Sequence, residues 1–387
     1  MLKRVKFVAI FLVLMIFVSA SCVFADVGTY VELYRDGRIL GMGGTNVAIG
    51  GSVTSVFFNP AGLSLMKRSE GWEVNLITLN VGINSKVVDF VKDFKDQVLD
   101  NDTEDKEQAV FDLLDKYTGE VFSGEENLMI SFARPFKNFA LGIGVFERIA
   151  LAGGVHEGFG TAGVLEVKNY GFVGSFLGLS INMFKNRVHI GTDVKYVYTA
   201  YLEHAFRASE LIDHADNLDD YINDELLKKG GSVVFDAGII FTPFPNSLLN
   251  PSFGISVMNI GDLEVNSTTV IPQTVNIGFA IRSRLFKGSH FFQNIALGID
   301  LRDITKNYKE DEDWGKRLYM GGEMDVFKSS HLTFTIRGGF YQGYPSFGAE
   351  LHFLFIDAQF VSYAEELGKY AGERKSRNYL VELGIKW

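Results

Sequence analysis

The feature that most constrains this chain is a two-residue alternation that recurs in strand-length runs from Trp72 to the C-terminus. Val188, Ile190, Thr192, Val194 and Tyr196 alternate with His189, Gly191, Asp193 and Lys195. Ile295, Leu297, Ile299 and Leu301 alternate with Ala296, Gly298, Asp300 and Arg302. Similar runs hold Leu128–Phe132, Phe139–Val145 and Leu332–Phe340 in their apolar positions. Successive side chains of an extended chain point to opposite faces, so each run has one apolar and one polar face. The polar faces carry Asp193, Lys195, Asp300, Arg302, Glu323, Asp325, Arg337, Glu350, Glu382 and Lys386, with glycines between them. Alternation alone fits a soluble sandwich as well as a membrane barrel. Length separates them: many runs reach the roughly 9–11 residues of a tilted membrane strand, against about 5–6 for a globular one.

The connections alternate too. Residues 135–138, 185–187, 244–250, 284–289 and 328–330 read as short turns. Residues 85–125, 151–163, 204–230, 259–271, 305–315 and 364–375 read as longer, more polar loops, with 342–344 a short exception. Short turns at one end and long loops at the other are the pattern of an outer-membrane barrel. The fold expected is therefore all-β: a transmembrane antiparallel β-barrel of about fourteen strands, with residues 349–362 split near Ile356-Asp357. Twelve strands is the alternative count. In the first run Leu76 and Ile77 break the alternation, which a β-bulge would explain.

The N-terminus reads as an export signal. Lys3, Arg4 and Lys6 precede an apolar run at residues 7–18, and Val23-Phe24-Ala25 fits cleavage after Ala25. The rival is a lipoprotein leader with Cys22 as the lipid-bearing residue, but Ser19 stands where a large aliphatic residue is expected. Removing the leader takes the formal charge from −10 to −13 and removes the single cysteine, so no disulfide holds the mature chain. No later stretch has 18 consecutive uncharged apolar residues, which excludes an inner-membrane helix. The acidic balance argues against nucleic acid as a partner. Membrane lipid is the partner that the barrel pattern implies.

Two long loops carry helical spacing. Val87, Phe90, Val91, Phe94 and Val98 form one apolar stripe, and Val110, Leu113, Leu114 and Tyr117 another, with Asp102 or Thr103 as cap. Leu211, Ala215, Leu218, Ile222 and Leu226 repeat likewise. Such helices are expected to cap the barrel mouth or, alternatively, to collect a hydrophobic ligand or partner.

Residues 37–63 have neither period. They pack seven glycines among small apolar residues and end in Asn59-Pro60-Ala61-Gly62. Glycine permits unusual dihedrals and close backbone approach, so this segment suits enclosure by something larger. The stretch Arg38–Gly44, with Gly41, Gly43 and Gly44, then Val47-Ala48 and Phe57–Leu63, resembles the N-terminal signature of the FadL/TodX superfamily of outer-membrane barrels. Thr45 departs from the family's usual Ala. Arg337-Gly338-Gly339-Phe340 through Gly343-Tyr344, with Tyr363–Gly368 and Arg377–Tyr379, looks most like the PorV-like and TraF-like branch. The resemblance implies an N-terminal hatch at residues 26–70 inside a barrel of residues 71–387. It implies either FadL-like passage of hydrophobic small molecules or, in the alternative branch, a non-transporting barrel in protein secretion, surface attachment or envelope structure.

Tyr379, Val381, Leu383, Ile385 and Trp387 face one way in the last run. A final strand with a terminal aromatic resembles the signal read by the outer-membrane barrel assembly machinery. No catalytic, cofactor or metal site emerges, so no enzyme is expected. Gly41–Gly44 lacks the lysine and βαβ context of a phosphate loop. Glu203, His204, Asp213, His214 and Asp216 match no metal-site spacing, no HExxH or nucleophile elbow occurs, and no ligand residues can be named.

Overall fold

The computed structural model describes residues 31–67, 71–94, 96, 106–158, 161–214, 218–283, 290–308, 313–368 and 370–387. The expected leader and the capping residues Asp102 and Thr103 lie outside these residues.

Fourteen antiparallel strands close into a barrel. In chain order they are β1 (Glu73–Asn84), β2 (Val121–Pro135), β3 (Phe139–Gly158), β4 (Thr161–Met183), β5 (Val188–Arg207), β6 (Lys228–Phe241) and β7 (Pro251–Ile260). A separate small hairpin follows, β8 (Leu263–Val265) and β9 (Thr268–Ile271). The wall then resumes with β10 (Thr274–Arg282), β11 (Phe291–Leu301), β12 (Leu318–Lys328), β13 (Leu332–Tyr341), β14 (Tyr344–Phe353), β15 (Ile356–Glu366) and β16 (Lys375–Lys386). β1 pairs with β16, and Val74 and Trp387 exchange backbone hydrogen bonds of 2.8 and 3.0 Å, so the wall closes at its short-turn end. The register shifts after Asn75 on both sides of β1, which places the expected bulge at Leu76-Ile77. The turn between β14 and β15 falls at Leu354-Phe355, as the fourteen-strand reading requires.

The wall's outer row is apolar and exposed: Ile143, Val173, Leu177, Ile190, Ile255, Leu297 and Leu383 all present bare side chains. An exposed apolar belt of this extent is the outer surface expected of a membrane-spanning barrel. The inner row holds the buried charges that alternation assigned to it, among them Asp193, Lys195, Asp300, Arg302, Asp325 and Arg337.

Two loop expectations change. Residues 151–163 are not a loop: β3 and β4 run on as a ladder to His156 and Val164. The loop helices also sit elsewhere than over the mouth. Phe122, Val155, Leu165, Val167, Leu202 and Phe206 continue the outward rows of β2–β5, yet they are buried. They are covered by helices α1 (Ser85–Phe94) and α2 (Lys106–Tyr117) and by residues 208–214 and 218–226, through Phe90, Val110, Leu113, Leu114 and Ile222. Strands that outrun the bilayer carry an apolar outer face with no lipid against it, and the amphipathic loop stripes cover that face.

Candidate functional site in the plugged lumen

Residues 31–67 fill the middle of the barrel. Asp36 starts a single helical turn, Gly37–Gly41, by accepting from the amides of Arg38 and Ile39 at 2.7 and 3.4 Å. Gly43 follows at φ +67, where a Cβ would come within 2.6 Å of the Phe340 amide nitrogen, so only glycine fits. Asn59 caps the 3-10 turn Pro60–Leu65, accepting from the Ala61 amide at 3.1 Å, with Pro60 in the first turn position. Its amide nitrogen donates to the Val47 carbonyl at 2.8 Å, tying two separate stretches of the hatch together. Gly62 and Gly50 pack backbone to backbone, with a Cβ on Gly62 only 2.8 Å from Gly50 Cα. Asn59→Ala removes the cap and strands a buried carbonyl; it is expected to cost about 2 kcal/mol. Denaturant unfolding of the liposome-embedded protein checks this.

The wall receives the hatch on glycines. Gly191 of β5 and Gly238 of β6 face each other in register, as do Gly254 and Gly278, and Gly298 and Gly321. A Cβ on Gly238 would stand 2.8 Å from Asn59 Cγ and closer still to its oxygen. One on Gly254 would stand 2.8 Å from the Val47 carbonyl carbon, and one on Gly321 2.7 Å from that of Met42. Between these glycines, polar wall residues hold hatch backbone. Asp300 accepts from the amides of Asn46 and Val47 at 2.6 and 2.8 Å. Ser180, Ser252 and Ser256 donate to the carbonyls of Ala61, Ala48 and Phe58 at 3.0, 2.9 and 2.7 Å. Lys195 donates to the Val56 carbonyl at 2.9 Å and is held by Asp193 and Asp236.

Charge fixes the hatch at both ends. Arg38 grips Glu323 through Nε and Nη2 at 2.9 and 2.6 Å, and Arg337 reaches the same carboxylate at 3.1 Å. Burial alone would lower the Arg38 guanidinium, but Glu323 beside it outweighs that and holds the group above its ordinary value. Arg35 is held by Glu32, Glu125 and Glu365, and Arg302 by Glu32 and the Gly44 carbonyl. Arg302 also stacks over Phe58 and Tyr319.

The two halves of the lumen differ. Below the hatch, at the short-turn end, a cavity of about 1030 Å³ is lined by charged groups including Arg38, Glu323, Glu350 and Lys386. Above it inward aromatic and aliphatic side chains form an apolar chamber, flanked by the ion pairs of Arg35, Lys195 and Arg302. Phe57 of the hatch meets Tyr34, Phe146 and Phe176 at ring-centroid distances of 5.2, 5.1 and 5.5 Å. Inward-facing Phe172, Val197, Tyr201 and Val234 extend the same cluster, and β8–β9 closes it from above. Burial pushes the Tyr34 hydroxyl up from its ordinary range. Cavities of about 40 and 70 Å³ remain beside residues 31–35; the larger is lined by Phe57, Phe58, Met258, Ile271, Lys195 and Arg302.

The signature residues Gly41, Gly43, Gly44, Asn59, Pro60, Ala61 and Gly62 thus lie together inside the lumen, all buried. Tyr379, Val381, Leu383 and Ile385 form an outward row on β16, and Trp387 ends it, exposed. The loop groups once weighed as metal ligands separate: His204 pairs with Glu210 at 2.7 Å, Glu203 with Lys168 at 2.8 Å, and Asp216 lies outside the described residues. Among the described residues no cluster of three or more metal-ligating groups occurs. Sequence reading missed the chamber and the wall glycines as a seat. The signal for the seat was present, since glycines recur at inward positions of consecutive strands.

No protein-family model and no curated protein matches this chain. Solved structures do. The toluene transporter TodX of Pseudomonas putida aligns over 93% of this chain and 98% of its own, with 11% identity and a TM-score of 0.52. The toluene transporter TbuX of Ralstonia pickettii aligns over 92% and 99%, with 11% identity and a TM-score of 0.52. The wall from β1 onward is about four-fifths of the chain, so this coverage takes in much of the N-terminal segment as well. The likeness is one of fold: the chain has the TodX-type fold, a fourteen-stranded barrel, here with its N-terminal segment packed inside.

Proposed function

We propose that this chain is an outer-membrane barrel that binds hydrophobic small molecules and passes them across the outer membrane. The observation that carries this is the apolar chamber above the hatch, where Phe57 meets Tyr34, Phe146 and Phe176. A water-filled pore has no use for Phe146, Phe172 and Phe176 on its inner wall; a site for apolar molecules does. The fold shared with two toluene transporters supports the same reading. Uptake of radiolabelled toluene and of a long-chain fatty acid by a deletion strain tests it. Slower uptake, restored by the gene in trans, is expected; unchanged uptake of both compounds would sink the proposal.

One observation favours a second reading, a non-transporting barrel of the PorV-like or TraF-like kind. The hatch is held by close backbone contacts to the wall and by ion pairs of Glu32, Arg35 and Arg38 with barrel residues. Unchanged uptake together with crosslinking to one specific envelope protein would decide for it.

The leader and the last strand belong to the same proposal. Cleavage after Ala25 delivers the chain to the periplasm, and Tyr379, Val381, Leu383, Ile385 and Trp387 present it to the assembly machinery. Deleting Trp387 also removes the pair of hydrogen bonds to Val74 that closes β1 on β16. The deletion is expected to lower the fraction of heat-modifiable barrel in the outer membrane severalfold, read on gels with and without boiling.

A further inference from the structure

The hairpin β8–β9 belongs to no wall ladder: it is a separate two-stranded sheet between β7 and β10. Its side chains divide cleanly. Leu263, Val265, Val270 and Ile271 are buried in the chamber against Tyr34, Phe57, Val197 and Tyr201, while Glu264, Asn266, Ser267 and Thr269 are exposed. Its polar ties to the wall are few. Ser232 donates to the Glu264 carbonyl at 2.5 Å and Lys228 to Thr268 at 3.3 Å. It leaves β7 through Gly261 and Asp262, both at positive φ, and rejoins β10 through Pro272-Gln273. Four aliphatic side chains therefore occupy the chamber on an arm that can move without breaking the barrel.

The chamber's cations are already engaged. Lys195 is held between Asp193 and Asp236, and Arg302 by Glu32. An anionic headgroup brought beside these two would meet their carboxylates, at the cost of its own dehydration.

We infer that the hairpin stands in the place of the ligand: the chamber is a binding site for an uncharged apolar molecule, which displaces Leu263, Val265, Val270 and Ile271 as the hairpin swings out. This rests on the proposed passage of hydrophobic compounds and adds both the site and the exclusion of anionic amphiphiles. While the hairpin is seated, the apparent affinity falls by the fraction of molecules in which it is open.

The test is a disulfide. A Cβ on Gly230 lies 4.0 Å from Val265 Cβ, inside the range of about 3.5–4.5 Å that a disulfide spans. Gly230→Cys with Val265→Cys puts a reversible lock on the hairpin in a mature chain otherwise free of cysteine. Equilibrium dialysis of radiolabelled toluene against the purified protein in amphipol is the readout, with octanoate as competitor. The reduced pair is expected to bind toluene like wild type, the oxidised pair about tenfold more weakly or not at all, with reductant restoring binding. Octanoate is expected not to displace toluene. Equal binding by the reduced and oxidised pair overturns the inference and leaves the proposed transport standing; displacement by octanoate at equal concentration overturns the exclusion of anions. Absence of toluene binding by wild type itself overturns both. If the cysteine pair loses heat-modifiability, Leu263→Ala with Ile271→Ala decides instead. Emptying the chamber in this way should tighten toluene binding severalfold, and unchanged affinity overturns the inference.

Discussion

Gly238→Val should abolish the plugged barrel. Gly238 sits on β6 with its α-carbon facing Asn59, and even a methyl group there would overlap the Asn59 side chain. Asn59 cannot step aside. Its oxygen accepts from Ala61, its nitrogen donates to Val47, and Pro60 Cδ stands 3.3 Å from the same point. Overpacking an ordinary core costs about 1–3 kcal/mol because neighbours shift; here the neighbour is a pinned cap, so the cost lies above that range. Either the hatch leaves the lumen or the barrel does not assemble. Heat-modifiability separates the two, and protease sensitivity of residues 31–67 reports a displaced hatch. Gly171→Ala is the control: a Cβ there makes an ordinary 3.6 Å contact with Ala200, and the change should be neutral within about 0.5 kcal/mol. A Gly238→Val protein that assembles with a protected hatch would show that the glycine seat does not hold it.

Glu323→Gln is expected to loosen the hatch without unfolding the wall. Glu323 is the shared counter-ion of Arg38 and Arg337, and among the described residues Arg337 has a second ion-pair partner, Glu350, while Arg38 pairs with Glu323. Neutralising one member of a buried ion cluster costs about 3–5 kcal/mol, because it leaves a charge in a poor solvent. Arg38 and Glu323 retain 22% and 13% side-chain exposure to the lower cavity, so the lower end of that range applies. Hydrogen exchange at the Gly37–Gly41 turn should speed up in proportion, and trypsin should cut after Arg38. Adding Arg38→Gln removes the stranded charge and should recover part of the loss. Unchanged exchange in Glu323→Gln would mean that the ion cluster does not anchor the hatch.

The barrel was legible because its rule is local. Two-residue alternation, run length and turn length are each properties of a short segment, and together they gave about fourteen strands against an alternative of twelve, the inward charges and the bulge at Leu76-Ile77. The hatch was legible through its glycines and Asn59-Pro60-Ala61-Gly62. The chamber was not. Phe146, Phe172, Phe176 and Tyr201 are inward by alternation, but nothing local says whether an inward aromatic faces water or another segment. The helices were misplaced for a related reason: an amphipathic stripe announces that it needs a partner, and the partner residues Val155 and Phe206 fall in stretches that read as loops. The hairpin Leu263–Ile271 was hidden by length, since strands of 3 and 4 residues leave almost no period to read.

A seated hatch and a filled apolar chamber close this barrel to ions and water. Conductance of the purified protein in a planar lipid bilayer tests it most directly. Wild type should show no steady ion current, while Gly238→Val protein that assembles without its hatch in place should show large open-channel steps. A steady, ohmic conductance in wild type would mean that the hatch and the chamber leave the lumen open.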